Sequence, residues 1–384
     1  MPTFYHDKIP APPRHLAALP LCILLTVALL ACASDDRDSA LQSLADENAA
    51  LKAEIATLRQ TIDERDARIQ ELEQAASKTA AALPDKEQWS KDKDEWWSQA
   101  DGDPVGRTAR LAEDAGGEVH YVAHPERGDR TVLVLPPEII DGETPLIVSL
   151  HGFGGDSAHQ SAYVPLHERV NSDGFALLLP NGMLNADGSR SWNPTDDLFT
   201  KNSGDTPQDD VAYLTELVAE ARKVANFGPV YFFGYSNGGF MAYHIACKGL
   251  PGLRAVASLS GASYVEDSTC DGAPPVSVLH IHGAEDDVIL YEGDRGESAF
   301  YAGAEDMVTR WSRRAGCDWP DNPQPYAELD LDRYVPGEET KLFRPESDCP
   351  DGITIELWRT ENSGHAPDYG PAFLDALLSW LLSR

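Results

Sequence analysis

The sequence predicts an α/β protein: a mainly parallel sheet with helices on both faces, preceded by an N-terminal coiled-coil helix. Three observations predict it. From about residue 117 onward, short apolar runs alternate with helix-like stretches, the pattern of β-α units around a parallel sheet. One run, residues 229–235, stops abruptly at Gly234-Tyr235-Ser236-Asn237-Gly238, the form of a sharp strand-to-helix turn. Residues 41–76 carry an apolar stripe spaced alternately three and four residues apart, as a coiled coil requires.

At the N-terminus, Lys8, Arg14 and His15 precede an apolar stretch of 16 residues, Leu16 to Ala31. That is short for a membrane span and suits a signal peptide over residues 1–31. Leu29-Leu30-Ala31-Cys32 resembles a bacterial lipobox, which implies lipidation of Cys32 and a tether over 32–40. By the same resemblance, Ala33-Ser34 without an Asp implies sorting to an outer membrane.

The heptads follow. Asn48, Ile55, Ile62 and Ile69 fall at a positions, and Leu44, Leu51, Leu58 and Leu72 at d, a choice that favours a parallel homodimer. Asn48 would fix the register, and Glu47 with Lys52, Glu54 with Arg59 and Arg68 with Glu73 have opposite signs across g and e. Arg65 at a d position breaks the pattern. Such a helix would extend about 50 Å. Residues 77–116, rich in Lys, Asp, Glu and Gly with Trp89, Trp96 and Trp97, read as a linker. The main α/β domain is expected over 117–384. Its strands are expected at 118–123, 130–135, 145–150, 176–180, 229–234, 255–260, 276–281 and 353–359, and its helices at 209–225, 238–248, 300–315 and 371–383.

In such a sheet the turn at Ser236 places a hydroxyl at the carboxyl edge, where open α/β sheets bind ligands. Serine is a poor nucleophile until a base takes its proton and a third group holds the base's tautomer. Both partners are available in order. The strand ending near 281 runs into His282-Gly283-Ala284-Glu285-Asp286-Asp287, with Asp286 preferred as the acid over Glu285 or Asp287. The strand ending near 359 runs into Asn362-Ser363-Gly364-His365, and His365 is the only histidine after the acid. Oxyanion donors would be the backbone N–H groups of Asn237 and of the loop His151-Gly152-Phe153-Gly154-Gly155, with Phe153 preferred and Gly152 the alternative.

The set HGFGG, GYSNGG, HGAEDDVILY and NSGH resembles the α/β-hydrolase esterases of the secreted polyhydroxybutyrate depolymerase and feruloyl esterase group, over residues 117–384. The resemblance implies the α/β-hydrolase fold, with Ser236 as nucleophile, Asp286 as acid and His365 as base. It also implies cleavage of carboxylic esters (short acyl, hydroxyacyl or feruloyl-type, possibly polysaccharide- or polyester-linked) without a cofactor. The surroundings of His365 depart from the group's glycine-rich pattern. The alternatives are a peptidase of the same fold and a catalytically inactive tethering lipoprotein. Trp192, in the polar stretch 183–207, is a candidate wall of the acyl pocket or a packing residue. Residues 318–348 form a long, irregular Pro- and Asp-rich insertion.

With 31 Lys and Arg against 63 Asp and Glu, the formal charge is −32. This excludes a nucleic-acid partner, since phosphate binding needs a basic face, and reads as a solvated surface. If Cys22 leaves with the signal and Cys32 is acylated, four cysteines remain. An even count in an exported chain favours disulfides, with three pairings open. The sequence-neighbour pairing, Cys247–Cys270 and Cys317–Cys349, is preferred, and the esterase resemblance supports it. No Cys/His spacing suits a metal. Cells fed a labelled fatty acid are expected to label the wild-type chain and not Cys32→Ala; an unlabelled wild type, or a labelled variant, overturns the lipid anchor.

Overall fold

Strands with small and β-branched residues on both faces must be covered on both faces, and the sheet of this chain is built that way. The computed structural model describes residues 41–53, 55–62, 65, 103–197, 207–263, 270–296 and 300–384. The expected signal peptide, Cys32, the heptads after residue 65 and Trp89, Trp96 and Trp97 lie outside them. The chain divides into two compact units, Met1–Ala75 and Ala76–Arg384.

In the first unit the described residues are helical. Leu44, Leu51, Ile55, Leu58 and Ile62, the expected a and d residues, are each 48–59% exposed. No helix among the described residues is long and apolar enough to cross a membrane.

In the second unit, ten strands form one sheet: β1 (Glu118–Ala123), β2 (Arg130–Leu135), β3 (Leu146–Leu150), β4 (Ala176–Leu179), β7 (Val230–Tyr235), β8 (Leu253–Leu259), β9 (Ser277–Gly283), β12 (Ala327–Leu329), β13 (Thr340–Phe343) and β14 (Ile355–Thr360). Their order is β1-β2-β4-β3-β7-β8-β9-β14-β13-β12. The six from β4 to β14 run parallel, and the outer strands pair antiparallel. Two small ribbons lie outside it, β5 (Met183–Leu184) with β6 (Arg190–Ser191), and β10 (Gly293–Arg295) with β11 (Phe300–Ala302).

Because side chains alternate across a strand, β7 feeds two cores. Val230 and Phe232 join one with Leu214, Leu217, Met241, Tyr243, Met307 and Trp311, on helices α3 (Asp210–Val224), α4 (Asn237–Lys248) and α5 (Ala304–Ala315). Tyr231 and Phe233 join the other with Ala109 and Ala112 of α1 (Pro104–Asp114) and Phe373, Leu377 and Trp380 of α6 (Pro371–Leu382). Each fully buried large apolar side chain contributes about 1.5–3 kcal/mol of transfer free energy.

Two disulfides staple the C-terminal half, Cys247–Cys270 and Cys317–Cys349, spanning 23 and 32 residues. In the chain-entropy account each contributes about 3–4 kcal/mol.

Three local expectations differ from the structure. Residues 104–114, expected within the linker, form α1, capped by the Asp103 carboxylate on Gly106 N–H at 2.9 Å. This short helix buries only Thr108, Ala109 and Ala112, too weak a stripe to stand out in a charged stretch. Residues 300–302, expected to begin a helix, form β11 because they pair with 293–295; α5 starts at Ala304. The 318–348 insertion, expected to be irregular, supplies β12 and β13; β13 pairs with β14 and β12 with β13, which no local signal announced.

Candidate active site

The loops after β3, β7, β9 and β14, all parallel, leave the sheet at one edge and carry the residues in question. At the end of β7, Ser236 sits at φ 53° and ψ −119°, a left-handed conformation that costs on the order of 1–3 kcal/mol for a residue with a side chain. The glycines around it permit the turn. A β-carbon on Gly234 would run into the Gly238 carbonyl, and one on Gly238 into the Leu150 carbonyl. Strand, helix and the loop after β3 therefore approach as closely as backbone can.

The three residues selected from the sequence lie together. His365 Nδ1 is 2.8 Å from Asp286 Oδ2, and His365 Nε2 is 3.0 Å from Ser236 Oγ. The Asp286 side chain is fully buried while His365 keeps 15% exposure, so the site opens on the histidine and serine side. Glu285 and Asp287, the other acid candidates, do not take this position.

Asp286 collects donors. Its Oδ1 accepts the N–H groups of Val288 and Ile289, both at 2.9 Å. Its Oδ2 accepts His365 and lies 3.2 Å from His282 Nε2. Burial alone would raise its pKa; the bonds from His282 and His365 outweigh that and hold it well below the usual carboxylate range. An ionised carboxylate only accepts, so His365 carries its proton on Nδ1 and leaves Nε2 to receive the Ser236 hydroxyl proton.

His282 was not selected from the sequence. The signal was there: His280 and His282 alternate on β9 and so share one face. Tyr243 OH is 2.7 Å from His280 Nδ1, and His280 Nε2 is 3.0 Å from His282 Nδ1. His282 Nε2 faces the Ile289 carbonyl at 2.7 Å as well as Asp286. Both of those groups accept, so the protons are ordered: Tyr243 donates to His280, His280 to His282, and His282 to the acid loop. Burial, with His282 adding to it, pushes the His280 pKa well below its ordinary value, so His280 stays neutral.

The loop after β3 is fixed by its own histidine. Gly182 N–H donates to His151 Nε2 at 3.0 Å, which leaves Nδ1–H to donate to the Gly152 carbonyl at 2.8 Å. Burial lowers the His151 pKa to about 4. Gly155 N–H binds the same carbonyl at 3.1 Å. With that carbonyl held, the planar Gly152–Phe153 peptide must direct the Phe153 N–H to the opposite side. A β-carbon on Gly152 would lie 3.3 Å from Ser236 Cβ, so this loop lies directly against the serine. Asn237 begins α4, where its N–H has no intrahelical acceptor.

Trp192, expected as either a pocket wall or a packing residue, is fully buried in the core. Its indole N–H donates to the His151 carbonyl at 2.9 Å. Its backbone N–H donates to Asn237 Oδ1 at 2.7 Å, and its carbonyl accepts Asn237 Nδ2 at 3.0 Å. It braces the two loops flanking Ser236 rather than contacting an open pocket. The polar run around it hid this, because its partners are 41 and 45 residues away.

The chain is similar to several known esterases. Residues 137–301 match the Phospholipase/Carboxylesterase family. The chain is 25% identical over 240 residues to a bifunctional acetylxylan esterase/xylanase of Neocallimastix patriciarum, covering 62% of this chain and 31% of that one. It is 23% identical over 254 residues to feruloyl esterase B of Piromyces equi, covering 63% and 43%. With feruloyl esterase C of Emericella nidulans it shares 32% over 177 residues, covering 43% and 58%. It thus spans less than half the length of the first two relatives. Among solved structures, an acetyl xylan esterase from Aspergillus awamori superposes with a TM-score of 0.49 at 14% identity, covering 69% of this chain and 98% of that one.

The depressed pKa of Asp286 sets a pH dependence. A carboxyl ionised more readily in the folded state stabilises fully above its unfolded value near 3.8, and that contribution is lost as pH falls through the lower native value. The gap in urea midpoint between wild type and Asp286→Asn is expected to be widest at pH 7 and to close progressively below about pH 4. A gap unchanged from pH 7 to pH 3 overturns this assignment.

Proposed function

We propose that this chain is a serine carboxylic ester hydrolase working through an acyl-enzyme. The observation that carries the reading is the unbroken line from Ser236 Oγ through His365 to Asp286, at the carboxyl edge of a parallel sheet. The esterase names of its relatives support the same class of reaction.

In the mechanism, Ser236 Oγ attacks the ester carbonyl carbon while His365 Nε2 takes the hydroxyl proton. The developing oxyanion is received by the N–H groups of Phe153 and Asn237, each such donor being worth roughly 3 kcal/mol. Collapse breaks the bond to the leaving oxygen, which takes the proton back from His365. Water then repeats the sequence: His365 accepts its proton, the hydroxide adds to the acyl carbon, and the carboxylic acid leaves as Ser236 regains its hydrogen. Asp286 stays ionised throughout and stabilises the imidazolium that forms twice per cycle. The substrates are esters of short acyl, hydroxyacyl or aromatic acids, including those carried on a polysaccharide or polyester, in keeping with the acetylxylan and feruloyl esterases among the relatives.

The rest of the chain places this activity. Cys32 carries a lipid that anchors the protein at an outer membrane, and residues 41–76 pair two copies as a parallel coiled coil. The exposed stripe from Leu44 to Ile62 supports that pairing, since a lone helix would leave it in water.

Two experiments test the proposal. Wild type is expected to hydrolyse nitrophenyl acetate and to be labelled by a fluorophosphonate, and to leave peptide amides intact. Ser236→Ala is expected to lose the label and about 10⁶ in kcat; a wild type without ester turnover or label sinks the enzyme reading. Separately, sedimentation equilibrium should give a dimer for the mature chain and a monomer for the double variant Ile55→Lys, Leu58→Lys. A monomeric wild type removes the coiled-coil assignment.

A further inference from the structure

The 318–348 insertion, closed by Cys317–Cys349, supplies none of the three residues of the catalytic line. It is nonetheless tied to the loop that carries His365. Strands β12 and β13 extend the sheet beside β14, and the turn after β12 reaches back over residues 361–370. There Gly370 N–H donates to the Leu331 carbonyl at 3.0 Å and Arg333 N–H to the Asp368 carbonyl at 3.1 Å. The Arg333 guanidinium binds the Asp368 carboxylate at 2.6 Å.

At the centre lies Asp332, 4% exposed. Its Oδ1 accepts Tyr334 N–H at 3.0 Å, and its Oδ2 accepts the Ser363 hydroxyl at 2.6 Å. Ser363, 3% exposed, stands two residues before His365. Its carbonyl accepts Glu285 N–H at 2.9 Å, from the residue before Asp286. A β-carbon on Gly283 would collide with the carbonyls of Ser363 and Gly364, so the acid loop and the histidine loop are packed backbone to backbone. Asn362 holds φ 55°, a conformation that persists only where its surroundings impose it. Ser363 is thus the joint between the insertion on one side and the acid loop on the other.

We propose that Asp332 is a positioning residue for His365: acting through Ser363, the insertion holds the turn that carries the base in register with Asp286 and Ser236. This rests on the reading of His365 as the general base. The short bond from a hydroxyl to a carboxylate is the strong, charge-assisted kind, suited to fixing a turn that carries an unfavourable backbone angle. The insertion reaches the chemistry by geometry alone. A misplacement of about 1 Å in a catalytic group costs on the order of 100-fold in rate.

The test uses the full chain with Asp332→Asn, Ser363→Ala, the double variant, and Ser363→Thr, which keeps the hydroxyl. Active sites are counted by fluorophosphonate labelling carried to completion. Each of Asp332→Asn and Ser363→Ala is expected to lower kcat on nitrophenyl acetate by about 10- to 100-fold with KM within about twofold. The double variant should be no slower than the worse single one, because both remove the same bond. Ser363→Thr should recover most of the rate. The downfield proton resonance of the His365–Asp286 hydrogen bond should shift or be lost to exchange in the slow variants. Wild-type kcat per labelled site with that resonance unmoved, whatever happens to thermal stability, overturns the proposal. If Asp332→Asn does not fold, Ser363→Ala alone decides by the same two readings. A wild type that neither turns over nor labels would instead bring down the esterase reading, and this one with it.

Discussion

The Asp286 carboxylate is the constraint on which the site depends. It is buried without a cationic side chain of Lys or Arg beside it among the described residues, and it remains charged because four N–H donors converge on its two oxygens. Two are backbone groups of its own loop, which fix where the carboxylate points. The other two come from imidazoles on opposite sides. One of these is held by a file of neutral, buried donors running back to Tyr243, so its proton cannot point elsewhere. A neutral file is well suited to this task, since it orders the carboxylate without bringing a further buried charge that would itself need a partner.

The strain at Ser236 is answered by the same economy of space. A left-handed serine, two glycines in backbone contact and the Gly152 peptide against its side chain together leave one arrangement for β7, α4 and the loop after β3. Trp192 and Asn237 lock that arrangement from below through a two-way bond. At the end of the loop after β3, the Asp156 carboxylate caps α2 (Ser157–Tyr163) and binds Arg107 of α1. The loop is therefore gripped at both ends by residues whose own positions are set by packing.

Much of this was legible in the sequence, and the reason is chemical. Only glycine tolerates the backbone contacts at 234 and 238, so the turn leaves a fixed mark around Ser236, and chain order supplied its partners. The strands stood out because burial on both faces makes them uniformly apolar. What did not stand out depends on partners distant in sequence. Trp192 looked like a loop residue since nothing local shows that its indole meets the His151 carbonyl. Asp332 lay in a segment whose composition suggested no structure, and its partner is 31 residues away. Helix α1 was lost among charged neighbours, because its buried face consists of Thr and Ala.

The four loops at the carboxyl edge come from residues near 152, 236, 286 and 365, and this spread governs when the site comes into being. During synthesis, the serine emerges well over a hundred residues before the histidine. Until β14 has docked on β9 and α6 has covered the core behind it, Ser236 has no imidazole beside it and Asp286 lacks one of its four donors. The line from Ser236 through His365 to Asp286 is thereby complete only in a chain that has folded through to its last strand and helix.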